Sequence, residues 1–229
     1  NECQVQGFLE GQMLMHTPFG LSYPSIVASG PNATTLHYTK NDDDFSKNEM
    51  MLIDFVGLGS MGLGMATSLV RAGHAVRGHD PDASRVEMFI AAGGIAASES
   101  TTPADALVSA VLNADQTRSV LSNTQSVAAR LRKGGVIVSC ATVSPDFAKE
   151  MEAAAANADH LYLDAPISGG AIKAAAGQLS IMASGTAEAF DLAAPVLDAM
   201  AETVHRLGDG AGEGSAMKAV NQLLAGVHI

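Results

Sequence analysis

The chain has 229 residues, 47% of them apolar and 16% charged, enough for one sizeable core or one domain with additional segments, which excludes disorder throughout. Thirteen Lys and Arg against 24 Asp and Glu give a formal net charge of −11, and with no basic patch and no Trp this argues against nucleic acid or an anionic membrane as partner. Two cysteines, Cys3 and Cys140, cannot build a disulfide framework, and no window reaches the roughly 18 consecutive apolar residues of a membrane-spanning helix, so a reducing, cytoplasmic setting is expected.

Residues 1–50 carry the polar run Asn41-Asp42-Asp43-Asp44 and no sustained helical or strand period, and the chain opens on Asn1 without a secretion-signal pattern, which points to an incomplete gene product. Composition changes near Met50. From Met51 short apolar runs alternate with Ala-rich amphipathic stretches, the pattern of strand–helix units around a parallel sheet. Strands are predicted at 52–56, 75–79, 108–112, 136–140, 160–163, 179–183 and 204–207. Met61, Met65 and Leu69 recur every four residues on a helix that Gly73 closes. Ser144 and Pro145 form a cap and first turn, a further helix covers 187–201 with a bend or break at Pro195, and a last one begins near Gly214 and runs to the end.

The strongest chemical signal is Gly57-Leu58-Gly59-Ser60-Met61-Gly62, which follows an apolar strand directly and opens an amphipathic helix. The first glycine allows the tight turn, the second lets a pyrophosphate approach the backbone, and the third lets helix and strand pack closely. Asp80 lies 18 residues after Gly62, near the spacing of an acid that binds a ribose 2′-hydroxyl. That favours NAD over NADP, because Pro81-Asp82-Ala83 offers no adjacent Arg for a 2′-phosphate. Asp164-Ala165-Pro166-Ile167-Ser168-Gly169-Gly170 is either an anion-presenting loop or a plain connection. Lys218, with Asn221 and Gln222 three and four residues on, is either a solvated lysine or a general acid/base.

Taken together, the glycine fingerprint running into Met65-Ala66 and Ala72-Gly73-His74, the stretch Ala141-Thr142-Val143-Ser144-Pro145, the 164–170 loop and the Lys218 helix resemble the β-hydroxyacid dehydrogenases, the 3-hydroxyisobutyrate dehydrogenase-like family, over about residues 51–229. Leu112-Asn113-Ala114-Asp115-Gln116 and Val220-Asn221-Gln222-Leu223-Leu224-Ala225-Gly226 are most similar to the family's L-threonate dehydrogenase branch. The resemblance implies an α/β, Rossmann-type doubly wound, mostly parallel sheet and NAD-dependent oxidation of the C2 hydroxyl of L-threonate, or of a similar hydroxy acid, to the 2-keto acid. Related 3-hydroxyisobutyrate or tartronate-semialdehyde chemistry and a non-catalytic NAD-binding fragment are the alternatives.

By the same resemblance Lys218 takes the hydroxyl proton, Ser168, Gly169 and Gly170 hold the substrate carboxylate, and Asn221 and Gln222 orient its hydroxyls. Gly57, Leu58, Gly59, Ser60, Met61, Gly62, Asp80, Leu112, Asn113 and Thr142 bind the cofactor. The family continues into a helical C-terminal domain, often dimeric. Residues 51–213 are therefore expected to be the NAD-binding domain and 214–229 the start of a helix leading into a missing domain, with a homo-oligomer expected where that domain is present.

Tyr23-Pro24-Ser25-Ile26-Val27-Ala28-Ser29-Gly30-Pro31-Asn32-Ala33 and Leu36-His37-Tyr38-Thr39-Lys40-Asn41-Asp42, continuing through Met51-Leu52-Ile53-Asp54-Phe55, resemble the Xaa-Pro aminopeptidases. In that family Asp54 would match a metal ligand and His37 a substrate-binding histidine. The later ligands are missing, and one carboxylate cannot hold a metal pair, so no metal site and no peptidase activity are expected. The whole then reads as a fusion of two partial domains, with Asp54 an awkward charge in a buried first strand.

Overall fold

A computed structural model describes residues 51–97, 101–121 and 126–227. The peptidase-like motifs of residues 1–50 lie outside the described residues, and every element below belongs to the unit Met51–Ile229. In chain order these are β1 (Leu52–Val56), α1 (Gly62–Arg71), β2 (Ala75–His79), α2 (Ala83–Ala91), β3 (Ile95–Ala96), β4 (Ala104–Ser109), α3 (Ala114–Leu121), a 3₁₀ turn at Val127–Arg130, β5 (Leu131–Ser139), α4 (Pro145–Asn157) and β6 (Leu161–Asp164). After them come β7 (Ile167–Ser168), α5 (Gly170–Ala176), β8 (Leu179–Ala183), α6 (Ala187–Met200), β9 (Ala201–Arg206) and α7 (Glu213–Val227).

The first six strands form one parallel sheet in the order β3-β2-β1-β4-β5-β6, the Rossmann-type arrangement. Its order reverses between β1 and β4, and the crevice at the carboxyl ends of the strands opens at that reversal. β1 is central and covered on both faces, so it is apolar almost throughout. Ile53 and Phe55 pack with Met65 and Leu69, the face of α1 that the four-residue spacing marks out. Gly73 ends that helix at φ +93°, where a side chain would be strained, and His74 N–H donates back to Leu69 O at 3.2 Å. Ser144 caps α4, its Oγ accepting from Phe147 N–H at 3.3 Å, with Pro145 in the first turn.

Three expectations need correction. The strand placed at 108–112 runs instead from Ala104 to Ser109, and Leu112 is 84% exposed. The Gln116 side chain accepts from Leu112 N–H and the Asn113 side chain accepts from Gln116 N–H, so these residues turn the chain into α3 rather than extending the sheet. The strands at 179–183 and 204–207 do not join the parallel sheet. β8 and β9, the latter beginning at Ala201, form a separate three-stranded sheet with β7, in which β7 runs antiparallel to β8. An antiparallel bridge between Asp164 and Ser184 (3.0 and 2.9 Å) reverses the chain direction there, so β8 cannot continue the parallel ladder. Finally, α6 has no break at Pro195 and continues to Met200, because buried Val196, Leu197 and Met200 beyond the proline keep its last turn on the core.

Candidate functional site

The turn after β1 carries the glycine motif. Gly57 adopts φ +94°, and a Cβ there would lie 2.6 Å from Ala110 O. At Gly62 a Cβ would lie 1.7 Å from Gly57 O, so only glycine lets α1 begin this close to the strand. Gly59 is different: the nearest atom to its would-be Cβ is Arg85 Nη1 at 3.9 Å, and its backbone borders open space. Leu58 is buried and anchors the loop from beneath, while Ser60 is exposed and Met61 half-buried. The result is a cradle in which the closed positions are filled by protein and the middle glycine faces outward.

Asp80, at the end of β2, holds this cradle. Its carboxylate accepts from Leu58 N–H at 2.8 Å and from Asp82 N–H at 2.9 Å, and its side chain is 3% exposed. An arginine does stand beside it, contrary to the reading of residues 81–83 alone. Asp82 caps α2 through Ser84 N–H (3.0 Å), and the first turn of that helix brings Arg85 Nη1 back to 3.6 Å from Asp80 Oδ2. Next to Asp80 is a cavity of about 400 Å³ lined by Val56, His79, Pro81, Ala96 and Ala97.

Beneath the cavity floor lies a buried charge cluster that sequence reading did not anticipate. Arg77 Nε and Nη2 donate to Asp54 Oδ1 and Oδ2 at 2.7 and 2.8 Å, Arg77 Nη1 donates to Thr102 O, and His79 Nε2 lies 2.9 Å from Asp54 Oδ1. Asp54 is thus answered by a strand neighbour, since the parallel register sets it opposite Arg77. An Asp and an Arg at matched positions of adjacent apolar strands were the available signal. Burial pushes the Asp54 carboxyl up, but the hydrogen bonds from His79 and Arg77 outweigh it and leave the group below its ordinary value. Among the described residues no three His, Cys, Asp or Glu side chains converge as metal ligands.

Leu112 and Asn113 follow β4 and are exposed, and Thr142 follows β5 and is exposed, so both loops stand at the carboxyl edge beside the glycine cradle. After β6, Ser168 is half-buried, while Gly169 and Gly170, at φ +138° and +76°, are exposed. Helix α7 presents Lys218 to this loop. The lysine is 8% exposed, its Nζ donates to Ile167 O at 2.8 Å, and its burial lowers its pKa from the ordinary lysine value. Asn221 and Gln222, one turn further along the helix, are both exposed. The structure therefore brings the glycine turn, Asp80, Leu112, Asn113 and Thr142 to one edge of the sheet and joins Lys218 to the 167–170 loop.

Residues 52–208 match the family model of the NAD binding domain of 6-phosphogluconate dehydrogenase, and residues 1–87 match the metallopeptidase family M24, the two overlapping from 52 to 87. The peptidase likeness thus extends past the expected limit of about residue 55, through β1, α1 and β2. The chain is 44% identical over 180 residues to an L-threonate dehydrogenase of Cupriavidus necator, covering 77% of this chain and 61% of that one. It is 37% identical to an NAD-dependent L-serine dehydrogenase of Pseudomonas aeruginosa, covering 77% and 60%. Among solved structures, a 3-hydroxyisobutyrate dehydrogenase from Salmonella typhimurium matches with a TM-score of 0.72 at 42% identity, covering 77% of this chain and 63% of that one. The chain spans about three fifths of the length of these relatives.

Proposed function

The chain belongs to the family of the NAD binding domain of 6-phosphogluconate dehydrogenase, and from that premise we propose that it binds NAD and takes part in oxidising the hydroxyl of a small hydroxy acid, L-threonate by preference. The single observation that carries the reading is the cradle. Gly57 and Gly62 are closed by protein, Gly59 opens outward, and Asp80 stands at the adjoining β2 end, which is what a dinucleotide pyrophosphate and its ribose require. NAD, when bound, supplies the hydride acceptor.

The protein's own groups divide the remaining work. The backbone from Gly57 to Gly62 receives the phosphates, Asp80 takes the ribose hydroxyls, and Leu112, Asn113 and Thr142 flank the cofactor. Ser168, Gly169 and Gly170 hold the substrate carboxylate, and Asn221 and Gln222 orient its hydroxyls. Lys218 accepts the hydroxyl proton at Nζ, a role that needs the neutral amine, and its burial lowers its pKa in the direction of that form.

Titration calorimetry with NAD and NADP, followed by measurement of NADH formation on adding L-threonate, tests the reading. NAD binding with turnover supports it, and Lys218→Ala is then expected to lower kcat at least about a hundredfold with NAD affinity retained. Absence of NAD binding overturns it. A second reading, a cofactor-binding module without turnover, is favoured by the exposure of Asn221 and Gln222, and binding without NADH formation would establish it.

A further inference from the structure

We propose that Asp164 is a positioning residue, fastening the first turn of α7 to the end of β6 so that Lys218 is held against the loop that follows the same strand. The catalytic importance of that placement rests on the reading of Lys218 as proton acceptor, whereas the placement itself does not.

Asp164 is 1% exposed and has no cationic partner within its own contacts. Its Oδ2 accepts from Gly212 N–H at 3.1 Å and Ser215 N–H at 2.8 Å, and its Oδ1 accepts from Ser215 Oγ at 2.7 Å. Ser184, bridged to Asp164 through the backbone, adds a fourth bond, its Oγ accepting from Gly214 N–H at 3.0 Å. The seat is tight, for a Cβ on Gly214 would lie 2.5 Å from Met182 O and 2.8 Å from Asp164 O. These contacts use the helix N–H groups that have no intrahelical acceptor, and they place a carboxylate where the helix dipole favours it.

One turn further on, Lys218 Nζ donates to Ile167 O, three residues after Asp164. The segment from β6 to β7 is therefore tied to α7 at two points, and Lys218 has little freedom beyond them. Among the described residues no other element supplies a comparable clamp: the charged groups on α4 that approach the start of α7 are Glu152, whose carboxylate accepts from Ala211 N–H at 3.0 Å, and Lys149, which lies against Gly212, while β8 carries no ionisable residue. Burial leaves the Asp164 carboxyl above its ordinary value, although the bonds from Ser215 and Gly212 act to lower it.

The test is trace acetylation of the full chain across pH, with peptide mapping by mass spectrometry, reading Lys218 against the exposed Lys133 as internal standard. In the wild type Lys218 is expected to react at least about tenfold more slowly than Lys133 when both are neutral, as a buried, hydrogen-bonded amine should. Asp164→Ala is expected to raise Lys218 reactivity at least about tenfold and move its titration upward, with a cooperative urea-unfolding transition retained as the sign of a folded domain. Asp164→Asn is expected to rescue, because its side-chain oxygen can accept from Gly212 and Ser215 N–H while its amide donates to Ser215 Oγ. Ser215→Ala, which keeps the backbone bonds, is expected to raise reactivity about threefold and decides the matter if Asp164→Ala does not fold.

Unchanged Lys218 reactivity in a folded Asp164→Ala chain, or in Ser215→Ala where that chain fails to fold, overturns the inference. So does an Asn variant that behaves like Ala. A wild-type chain that binds no NAD, yet whose Lys218 is freed by the substitution, overturns the proposed function and leaves the positioning role standing.

Discussion

Asp54 is a charge in the middle of a buried strand, and it persists because its neighbours satisfy it completely. Both of its oxygens face the Arg77 fork and His79 approaches one of them, so the three side chains form a unit that cannot be dismantled piecemeal. Asp54→Leu alone is expected to cost about 3–5 kcal/mol, since it strands a buried guanidinium, whereas Asp54→Leu combined with Arg77→Met should come within about 1 kcal/mol of the wild type or exceed it. Urea unfolding of the three proteins checks this. The pH dependence follows from the lowered carboxyl: its contribution is present above the unfolded value of 3.8 and is lost as pH falls through the folded value, so wild-type stability should fall relative to the double variant only in acid below about pH 4. At Gly59 the expectation is the opposite of a stability effect. A methyl there meets nothing closer than 3.9 Å, so Gly59→Ala should unfold within about 1 kcal/mol of the wild type yet bind NAD at least about tenfold more weakly, by calorimetry.

Among the elements, those with a strong period and a chemical boundary were legible at once. β1 and β2 end directly before Gly57 and Asp80, β8 ends before Ser184-Gly185, and α4 begins after Ser144 because a capping hydroxyl and a proline both act locally. Ser144→Ala is accordingly expected to cost about 1 kcal/mol in thermal or urea unfolding, with NAD binding unchanged. The elements that escaped notice are short or depend on distant partners. β3 and β7 have two residues each, too few for any period, and exist only because β2 and β8 offer them a ladder edge. The 108–112 run looked like strand by its apolar content, but Asn113 and Gln116 take its backbone into a helix, a competition decided by side-chain caps rather than by hydrophobicity.

For the molecule as a whole, a ligand that binds only the folded sheet must stabilise it. NAD at about 100 times its Kd is expected to add about 2.7 kcal/mol to unfolding at 25 °C, with NADP less effective where Asp80 selects the ribose hydroxyl, and a melting series with both nucleotides checks this. The pattern of residues alone was sufficient for the strand–helix alternation, the glycine turn and the acid after the second strand, because each is a short-range matter of periodicity, backbone freedom or spacing. Three features needed the folded chain. Arg77 became the answer to Asp54 through strand register, Arg85 came beside Asp80 through the first turn of α2, and Asp164 reached α7 across some fifty residues of chain. Such pairings depend on which strands are neighbours and which helix ends face them, and that is settled by burial of a common core rather than by any local run of residues.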